Sequence, residues 1–284
     1  MRVLVTGTSG RIGAAIAARG SAEHDVVGLD IVAGPLTTHV GRINDSTLVD
    51  RLVAGVDGVI HTAGLHAPHV GVKTDQEFVE TNVRGTECLL NAALKQGVRR
   101  FVYTSSTSVY GAAMVAKDRA VWVTEDLPPI ARDIYDETKL AAEQACRDAS
   151  RAGLMCVSLR MSRCFPEADE LMAIYRLYRG VDIRDVADAH WLALRANLDQ
   201  FEVFNISAAP AFSESECGAL FTAADDVIDR HYPWARHAFV HRGWQLPRRI
   251  DRVYVIEKAQ RILGYRPRHN FESLFGAEET IGST

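Results

Sequence analysis

Cysteine and long apolar runs are scarce in this chain of 284 residues. Its five cysteines never form a Cys-x-x-Cys spacing, and an odd number is typical of free thiols in a reducing compartment. No stretch approaches the roughly 18 uninterrupted apolar residues that a membrane helix needs. The first residues also lack the charged segment, apolar core and cleavage site of a secretion signal. We therefore expect a cytoplasmic protein without a membrane span.

An excess of basic residues is also missing, because the formal net charge is -4. The chain therefore offers no electrostatic reason to bind nucleic acid or an anionic membrane, although 27 of its 32 basic residues are arginine. Arginine suits the recognition of carboxylates and phosphates, or simple pairing at the surface. The ten histidines include no His-Glu-x-x-His spacing, so we predict no metal site.

Short β-branched runs alternate with longer alanine- and leucine-rich segments that lack proline. The expected strands are Val3–Val5, Val26–Leu29, Val59–Thr62, Phe101–Thr104, Cys156–Leu159 and Phe201–Ser207. The expected helices are Ile12–Arg19, Glu77–Lys95, Tyr135–Ala152 and Val181–Leu198. This alternation predicts an α/β fold with a doubly wound, Rossmann-like parallel sheet.

The alternation weakens after Arg160 and gives way to a segment rich in aromatic residues and arginine. We predict that residues 1–161 with 181–207 form a dinucleotide-binding domain. A small substrate-binding lobe would combine residues 162–180 with 208–275, and residues 276–284 would form a loose tail.

A glycine-rich turn follows the first expected strand and begins the first expected helix. Gly7, Gly10 and Gly13, with Arg11 and Ile12 between them, allow a tight turn and the close approach of backbone N–H groups to a pyrophosphate. An ordinary strand-to-helix turn is the alternative interpretation. Asp30 ends the second strand, 20 residues after Gly10, where an acid accepts hydrogen bonds from a ribose diol and repels a 2'-phosphate. The pattern therefore favours NAD over NADP.

Tyr135 and Lys139 are four residues apart on an expected helix and therefore lie on one face. An ammonium near the phenol favours its ionised form, and a phenolate is a strong general base. Chance also supplies such a pair in many chains with eight tyrosines and five lysines. The spacing predicts a proton-transfer pair only in combination with the surrounding motifs.

Further motifs follow the glycine turn in a fixed order. They are His61–Gly64, Asn82 within Glu80–Thr86, the serine cluster Thr104–Gly111, Tyr135 with Lys139, Ile183–Val186, and Glu257–Ala259 with Leu263–Pro267. In this order, and with a G-x-x-G-x-x-G turn, the chain resembles the extended short-chain dehydrogenase/reductase family, also called the NAD-dependent epimerase/dehydratase family. The resemblance covers about residues 1 to 275 and implies NAD-linked hydride transfer.

The resemblance also implies particular contacts with the cofactor. Thr62, Ala63 and Gly64 would lie under the pyrophosphate, Asn82 would bond neighbouring backbone, and Thr104 would lie on the nicotinamide side. Ile43 would also belong to the cofactor site. Arg42 stands where the family often has an acid for the adenine amine, and it could stack on the adenine instead. Lys139 would bridge the nicotinamide ribose.

The same resemblance assigns the catalytic hydroxyl to Ser106, which would bond the reacting oxygen of the substrate. Ser105 and Ser108 are the alternatives, and either could be an ordinary turn serine. Tyr135 would remove the hydroxyl proton as hydride leaves the same carbon, or donate it in the reverse direction. Tyr110 is expected to pack rather than to act as a second base.

The substrate side departs from the pattern of the nucleotide-sugar enzymes. Arg163 and Phe165 stand at positions where the family commonly has asparagine and glycine, and a cationic fork there suits a carboxylate or phosphate. A short run also resembles the uronate-type sugar-acid dehydrogenases, on Arg160, Cys164, Pro166 and Glu167. The brief insert after Pro166 favours a smaller substrate than a nucleotide sugar.

Other candidates for substrate contacts are His66, with His69 on the same loop, and Arg242, with Trp244 beside it. Each could instead be a surface or packing residue. Three functions remain open: a net dehydrogenase or reductase, which we favour; a nucleotide-sugar epimerase with transient oxidation; and a non-catalytic NAD-binding sensor or scaffold. A dehydratase is least favoured because Thr107–Ser108 offers no additional acid. The resemblance also implies a homodimer that packs through the helices expected at 77–95 and 135–152.

Overall fold

Seven parallel strands form the central sheet of the computed structural model, which describes residues 1–276. The strands of these described residues are β1 Arg2–Thr6, β2 Asp25–Asp30, β3 His39–Val40, β4 Gly58–His61, β5 Arg100–Ser106, β6 Val121–Val123, β7 Met155–Met161, β8 Glu202–Ile206 and β9 Arg252–Tyr254. Within the large sheet the order is β3-β2-β1-β4-β5-β7-β8. This arrangement confirms the predicted doubly wound α/β fold.

Helices cover both faces of the sheet. The α-helices of residues 1–276 are α1 Arg11–Gly20, α2 Ser46–Val53, α3 Asp75–Phe78, α4 Gly85–Lys95, α5 Ile134–Arg151, α6 Asp169–Tyr178, α7 Ile183–Arg195, α8 Cys217–Thr222, α9 Ala224–His231, α10 Ala235–His241 and α11 Glu257–Leu263. Apolar residues of α1, α7 and α11 bury one face, and those of α2, α4 and α5 bury the other. The sheet strands are therefore apolar on both sides, which is typical of a parallel sheet.

The helix α5 carries its own start and stop signals. Asp133 caps it by accepting a hydrogen bond from the backbone N–H of Asp136, and the first turn holds two acids while the last holds Arg151. No proline or glycine interrupts its 18 residues. The helix is therefore a rigid support for the residues on its inner face.

The predicted helix Glu77–Lys95 is wrong as a single regular element. The chain is helical over this range, but Val79–Arg84 is a π-helix between α3 and α4. Such wide turns redirect side chains and often occur at functional positions. The strand β3 and the helix α2 also form without having been predicted.

A third group of buried residues belongs to the C-terminal part of the chain. Aromatic side chains of α10, of the 3₁₀ turn Phe271–Leu274 and of Phe275 pack there with residues of α6, α8 and α9. The short strand β6 also joins this region, because it pairs in parallel with β9. The predicted division into two domains stays a prediction, and the predicted tail, except for Gly276, lies outside the described residues.

None of the helices in residues 1–276 is long and apolar enough to cross a membrane.

Candidate active site

The glycine turn between β1 and α1 requires the absence of side chains. Gly7 has φ +80°, and a Cβ there would lie 2.5 Å from the Thr62 Oγ1. A Cβ at Gly13 would lie 2.0 Å from the carbonyl oxygen of Gly7. Gly10 directly precedes α1, a helix of ten residues. The turn thus forms a cradle at a helix N-terminus, which suits a pyrophosphate.

Asp30 lies beside this turn at the end of β2. Its carboxylate accepts hydrogen bonds from the backbone N–H of Ser9 at 2.9 Å and of Val32 at 3.0 Å. A carboxylate has about four lone-pair positions, so these two bonds leave acceptors for a pair of hydroxyl groups.

The segment after β4 lies against the same turn. Thr62 donates its hydroxyl to the carbonyl oxygen of Thr6 at 2.6 Å, and the backbone N–H of Ala63 donates to the Thr6 Oγ1 at 3.2 Å. A Cβ at Gly64 would lie 2.9 Å from the Asn82 Oδ1 and 4.0 Å from the Lys139 Nζ. Gly64 therefore packs closely against Asn82 and lies near Lys139 of α5, where a side chain would not fit.

A buried chain of hydrogen bonds runs behind this segment. His61 contacts the Thr6 hydroxyl through Nδ1 at 2.7 Å and the Thr86 hydroxyl through Nε2 at 3.0 Å, while Thr86 donates to the carbonyl oxygen of Asn82. Because the Thr86 hydrogen is already committed, Nε2 of His61 is the donor and Nδ1 accepts from Thr6. Burial lowers the pKa of His61 to about 3, so this ring stays neutral.

Asn82 lies in the π-helix and joins two elements of the site. Its Oδ1 accepts from the backbone N–H of Leu65 at 2.7 Å, and its Nδ2 donates to the carbonyl oxygen of Leu65 at 2.9 Å and to the Thr138 Oγ1 at 3.1 Å. The side chain therefore holds the loop after β4 against α5, in agreement with the backbone-bonding role that the sequence predicted.

The structure brings Ser106 and Tyr135 together at the carboxyl end of β5. The Ser106 hydroxyl forms a hydrogen bond to the Tyr135 phenol and accepts one from the backbone N–H of Ser108 at 3.1 Å. Burial raises the pKa of Tyr135 to about 12, and the charges of Asp136 and Asp133 act in the same direction. The bond from Ser106 opposes this rise.

Lys139 lies on the same face of α5, but its ammonium bonds a different group. Its Nζ donates to the carbonyl oxygen of Thr104 at 2.9 Å and lies 5.9 Å from the centre of the Tyr135 ring. Burial lowers the pKa of Lys139 to about 8, and the charge of Glu143 opposes this shift. The expected lowering of the Tyr135 pKa is therefore wrong for the chain by itself, because burial outweighs the distant ammonium.

Thr104 has a second partner that the sequence did not reveal. The Nε2 of His190, on α7, lies 2.8 Å from the Thr104 hydroxyl, and Nδ1 lies 2.7 Å from the carbonyl oxygen of Val186. A carbonyl only accepts, so Nδ1 carries the hydrogen and Nε2 accepts from Thr104. Burial lowers the pKa of His190 to about 4, which keeps the ring in this neutral form. The only sequence signal was a histidine on the apolar face of a helix.

Arg163, Phe165 and His66 meet at the rim of this edge of the sheet. The His66 and Phe165 rings are nearly parallel with centres 6.4 Å apart, and the Arg163 guanidinium lies 5.2 Å from the centre of the Phe165 ring. Arg163 also forms an ion pair with Glu167 and lies 5.3 Å from the centre of the Tyr175 ring. The predicted cationic fork is therefore present but already holds a carboxylate.

The remaining predicted residues lie in different surroundings. Ile43 is buried against Gly85, whereas Arg42 is exposed. Arg11 donates to the carbonyl oxygen of Cys164 at 2.7 Å. Arg242 lies over the rings of Trp244 and Phe275 in the C-terminal part, and its predicted contact with substrate stays a prediction.

Among residues 1–276, no group of three or more histidine, cysteine, aspartate and glutamate side chains is placed to hold a metal ion.

Comparisons with known proteins agree with this geometry. A 3-beta-hydroxysteroid dehydrogenase of Mycolicibacterium neoaurum is 36% identical over 190 residues, which cover 60% of this chain and 50% of that protein. A UDP-glucose 4-epimerase of Bacillus subtilis is 32% identical over 170 residues, which cover 54% of this chain and 49% of that protein. The chain thus spans about half the length of these two relatives.

A solved structure of a mutated uronate dehydrogenase superposes with a TM-score of 0.70 at 20% identity, covering 99% of this chain and 85% of that one. At this identity the likeness shows the fold alone. A sequence model described as the NAD dependent epimerase/dehydratase family matches residues 3–170, more than half of the chain. The match confirms the predicted family and NAD as its cofactor. The chain therefore belongs to the NAD-dependent epimerase/dehydratase family of enzymes.

Proposed function

We propose that this protein is an NAD-dependent dehydrogenase that oxidises a carbinol carbon of a small sugar or sugar acid, and reduces the carbonyl product in the reverse direction. The observation that carries the proposal is the meeting of Ser106, Tyr135 and Lys139 at the carboxyl end of β5. Ligands of open α/β sheets bind at this edge, so a substrate held there would meet these three groups.

The residues of the chain fit the cofactor. The Gly7 and Gly13 positions form a cradle that a Cβ would fill, and Asp30 keeps acceptors for a ribose diol. Lys139 would hold the nicotinamide ribose with the hydrogens that Thr104 does not accept. Bound NAD⁺ would supply the hydride acceptor and a positive charge beside these groups.

Tyr135 would move the proton of the reacting hydroxyl. With a pKa of about 12 in the chain alone, the phenol is protonated at neutral pH and suited to donate to a carbonyl oxygen. Its use as a base needs positive charge nearby, and the Lys139 ammonium is 5.9 Å from the centre of the ring. Ser106 would donate to the substrate oxygen and keep it next to the phenol.

Arg163 supports the preference for a sugar acid. Its side chain is 42% exposed and its guanidinium pairs with Glu167, so a substrate carboxylate would replace Glu167 or share the guanidinium with it. Only α6 separates this segment from α7, which leaves little chain to enclose a nucleotide. A nucleotide-sugar epimerase remains the alternative, because the same proton-transfer groups would serve a transient oxidation.

A second candidate substrate is a hydroxysteroid. Val115, Ile130 and Phe165 are exposed on loops near the end of β5 and after β7, and exposed apolar groups at this edge would suit an apolar alcohol. The relative from Mycolicibacterium neoaurum carries this activity in its name.

The test is a substrate screen that follows NADH absorbance with NAD⁺ in excess. Its arms are free uronic acids and aldoses, nucleotide sugars, and 3-hydroxysteroids. Net NADH formation with a sugar acid is the expected result, and it should disappear in Tyr135→Phe. Tyr254→Phe is the matched control, because that hydroxyl lies outside the predicted site, 3.3 Å from the Met114 Sδ and beside the Arg252 guanidinium.

Other outcomes separate the alternatives. Product formation from a nucleotide sugar without net NADH would indicate an epimerase, and NADH formed only with steroids would overturn the carbohydrate assignment. NAD binding without turnover in every arm would favour a sensor or scaffold. Equal turnover of Tyr135→Phe and wild type would overturn the role of the phenol.

We also propose a cytoplasmic homodimer that packs through the region of α4 and α5. Light scattering at micromolar concentration tests the assembly, and a monomer mass would contradict it.

A further inference from the structure

The residue after the proposed base is a fully enclosed carboxylate. Asp136 has no exposed surface, and one of its oxygens accepts a hydrogen bond from the Ser108 hydroxyl. Its other oxygen accepts from the backbone N–H of Arg132 at 3.2 Å and from the Arg132 Nε at 3.3 Å. A buried charge is costly unless it is paired and hydrogen-bonded, so this arrangement has to be maintained.

The partner of Asp136 is also a partner of the proposed catalytic serine. The backbone N–H of Ser108 donates to the Ser106 Oγ at 3.1 Å, and Ser106 in turn bonds the Tyr135 phenol. Because Ser106 already accepts from Ser108, its own hydrogen is available for the phenol or for a substrate oxygen. Asp136 on α5 and Ser108 after β5 thus tie the two elements that carry Tyr135 and Ser106.

We infer that Asp136 is a positioning residue that holds the Ser106 hydroxyl against Tyr135 by anchoring Ser108 to the first turn of α5. This inference rests on the proposed function, because it concerns the same proton-transfer site. Asp136 would position Ser106 only through Ser108 and would not touch the substrate.

Asp136 would have two opposed effects on Tyr135. Its charge and that of Asp133 raise the phenol pKa, whereas the Ser106 bond that it helps to place lowers it. Lys139 faces the ring from the next turn of α5, and the Tyr103 phenol lies near it on β5. The two effects can be separated by removing the charge and the tie in different variants.

Asp136→Asn removes the charge but keeps one hydrogen bond to Ser108, whichever way the amide lies. It should lower the Tyr135 pKa. The limb of the pH–rate profile that reports ionisation of this phenol should therefore move to lower pH by about 1 unit. Ser108→Ala keeps the charge and removes the tie. It should move the same limb upward and reduce kcat on the order of tenfold, because Ser108, whose backbone N–H bonds the Ser106 Oγ, is no longer anchored to α5.

The experiment measures the pH dependence of turnover and, independently, of phenolate absorbance with NAD⁺ bound, each as a difference from Tyr135→Phe. Glu137→Gln, an exposed acid on the same turn, is the matched control and should change neither. Opposite shifts for Asp136→Asn and Ser108→Ala support the inference. If the titration limb stays in place in both variants, or moves in the same direction in both, while Tm falls, the inference is overturned and Asp136 is a structural residue.

The absorbance arm needs no substrate, so its result separates the inference from the proposed function. If Tyr135→Phe keeps full turnover, the proposed function fails, and the inferred positioning of Ser106 for proton transfer fails with it. If Tyr135→Phe is inactive while both variants titrate like the wild type, only the inference fails.

Discussion

Lys139 reaches across from α5 to the carbonyl oxygen of Thr104 on β5, with 2.9 Å between Nζ and the oxygen. A backbone carbonyl cannot rotate away as a side chain can, so this bond fixes the ammonium at the end of the strand. The other two hydrogens of the ammonium stay available for a ligand. The position of the charge is therefore set by the sheet itself.

Replacement of Lys139 by arginine should not preserve activity. The planar guanidinium is larger and does not reproduce a compact ammonium in a site where the lysine is only 6% exposed. We expect kcat to fall on the order of 100-fold or more. Steady-state kinetics check this, with Lys73→Arg as the control, because Lys73 is exposed and pairs only with Glu77 among the ion pairs of residues 1–276. Equal kcat for Lys139→Arg would show that any cation serves at this position.

Alanine at Gly10 and at Gly13 should have different effects. At Gly13 the new Cβ would lie 2.0 Å from the Gly7 carbonyl oxygen, so the turn must shift and the free energy of unfolding should fall by roughly 1–3 kcal/mol. At Gly10 the nearest atom is 3.3 Å away and φ is -80°, so the fold should tolerate the methyl group. NAD binding should weaken in both variants. Calorimetric titration and denaturant unfolding measure the two quantities, and unchanged NAD affinity in Gly10→Ala would contradict the cradle.

The preference for NAD should depend on Asp30. Asp30→Asn keeps an acceptor for the Ser9 N–H but removes the charge that repels a 2'-phosphate. We expect the ratio of NAD to NADP affinity to fall on the order of tenfold, about 1.4 kcal/mol. Direct binding of both cofactors measures this ratio. An unchanged ratio would assign the selectivity to another residue.

Acid should destabilise the protein through its two buried histidines. The pKa values of His61 and His190, about 3 and about 4, lie below the ordinary value of 6.5. As the pH falls below 6.5, the two rings therefore take up protons in the unfolded chain but stay neutral in the folded chain. The free energy of unfolding that depends on the two neutral rings is fully present above pH 6.5. It falls as the pH drops towards the folded pKa values, by about 1.4 kcal/mol per pH unit for each ring.

Unfolding curves between pH 7 and pH 5 measure this loss. In His190→Gln the free energy of unfolding should fall less steeply with decreasing pH, because one fewer proton is taken up on unfolding. An unchanged slope would mean that the His190 ring is charged in the folded state.

The sequence was a good guide wherever a local pattern determines the structure. The glycine turn, Asp30 and the alternation of strands and helices depend on spacing along the chain, and the helix periodicity placed Tyr135 and Lys139 on one face of α5. The π-helix was not visible, because Val79–Arg84 has the composition of an ordinary helix. Nor could a two-residue strand such as β3 be recognised from so short a run.

The partners in the site could not be predicted, because they lie far apart in the sequence. The bond between Thr104 and His190 joins β5 to α7, and Asp136 meets Ser108 across two elements. Tyr135 shows the same limit, since its pKa depends on burial, which spacing along the chain does not reveal.

The pairing of β6 with β9 has a consequence for how the molecule is made. The strand β6 follows the turn that carries Ser106 and Ser108, yet its partner begins only at Arg252. During synthesis from the N-terminus, the cradle at Gly7–Gly13 can assemble long before that partner leaves the ribosome. The C-terminal part of the chain that β6 joins must wait for a long-range contact, which is a slow kind of step in folding. A chain interrupted before β9 would therefore form the glycine turn at Gly7–Gly13 and leave β6 without its partner strand.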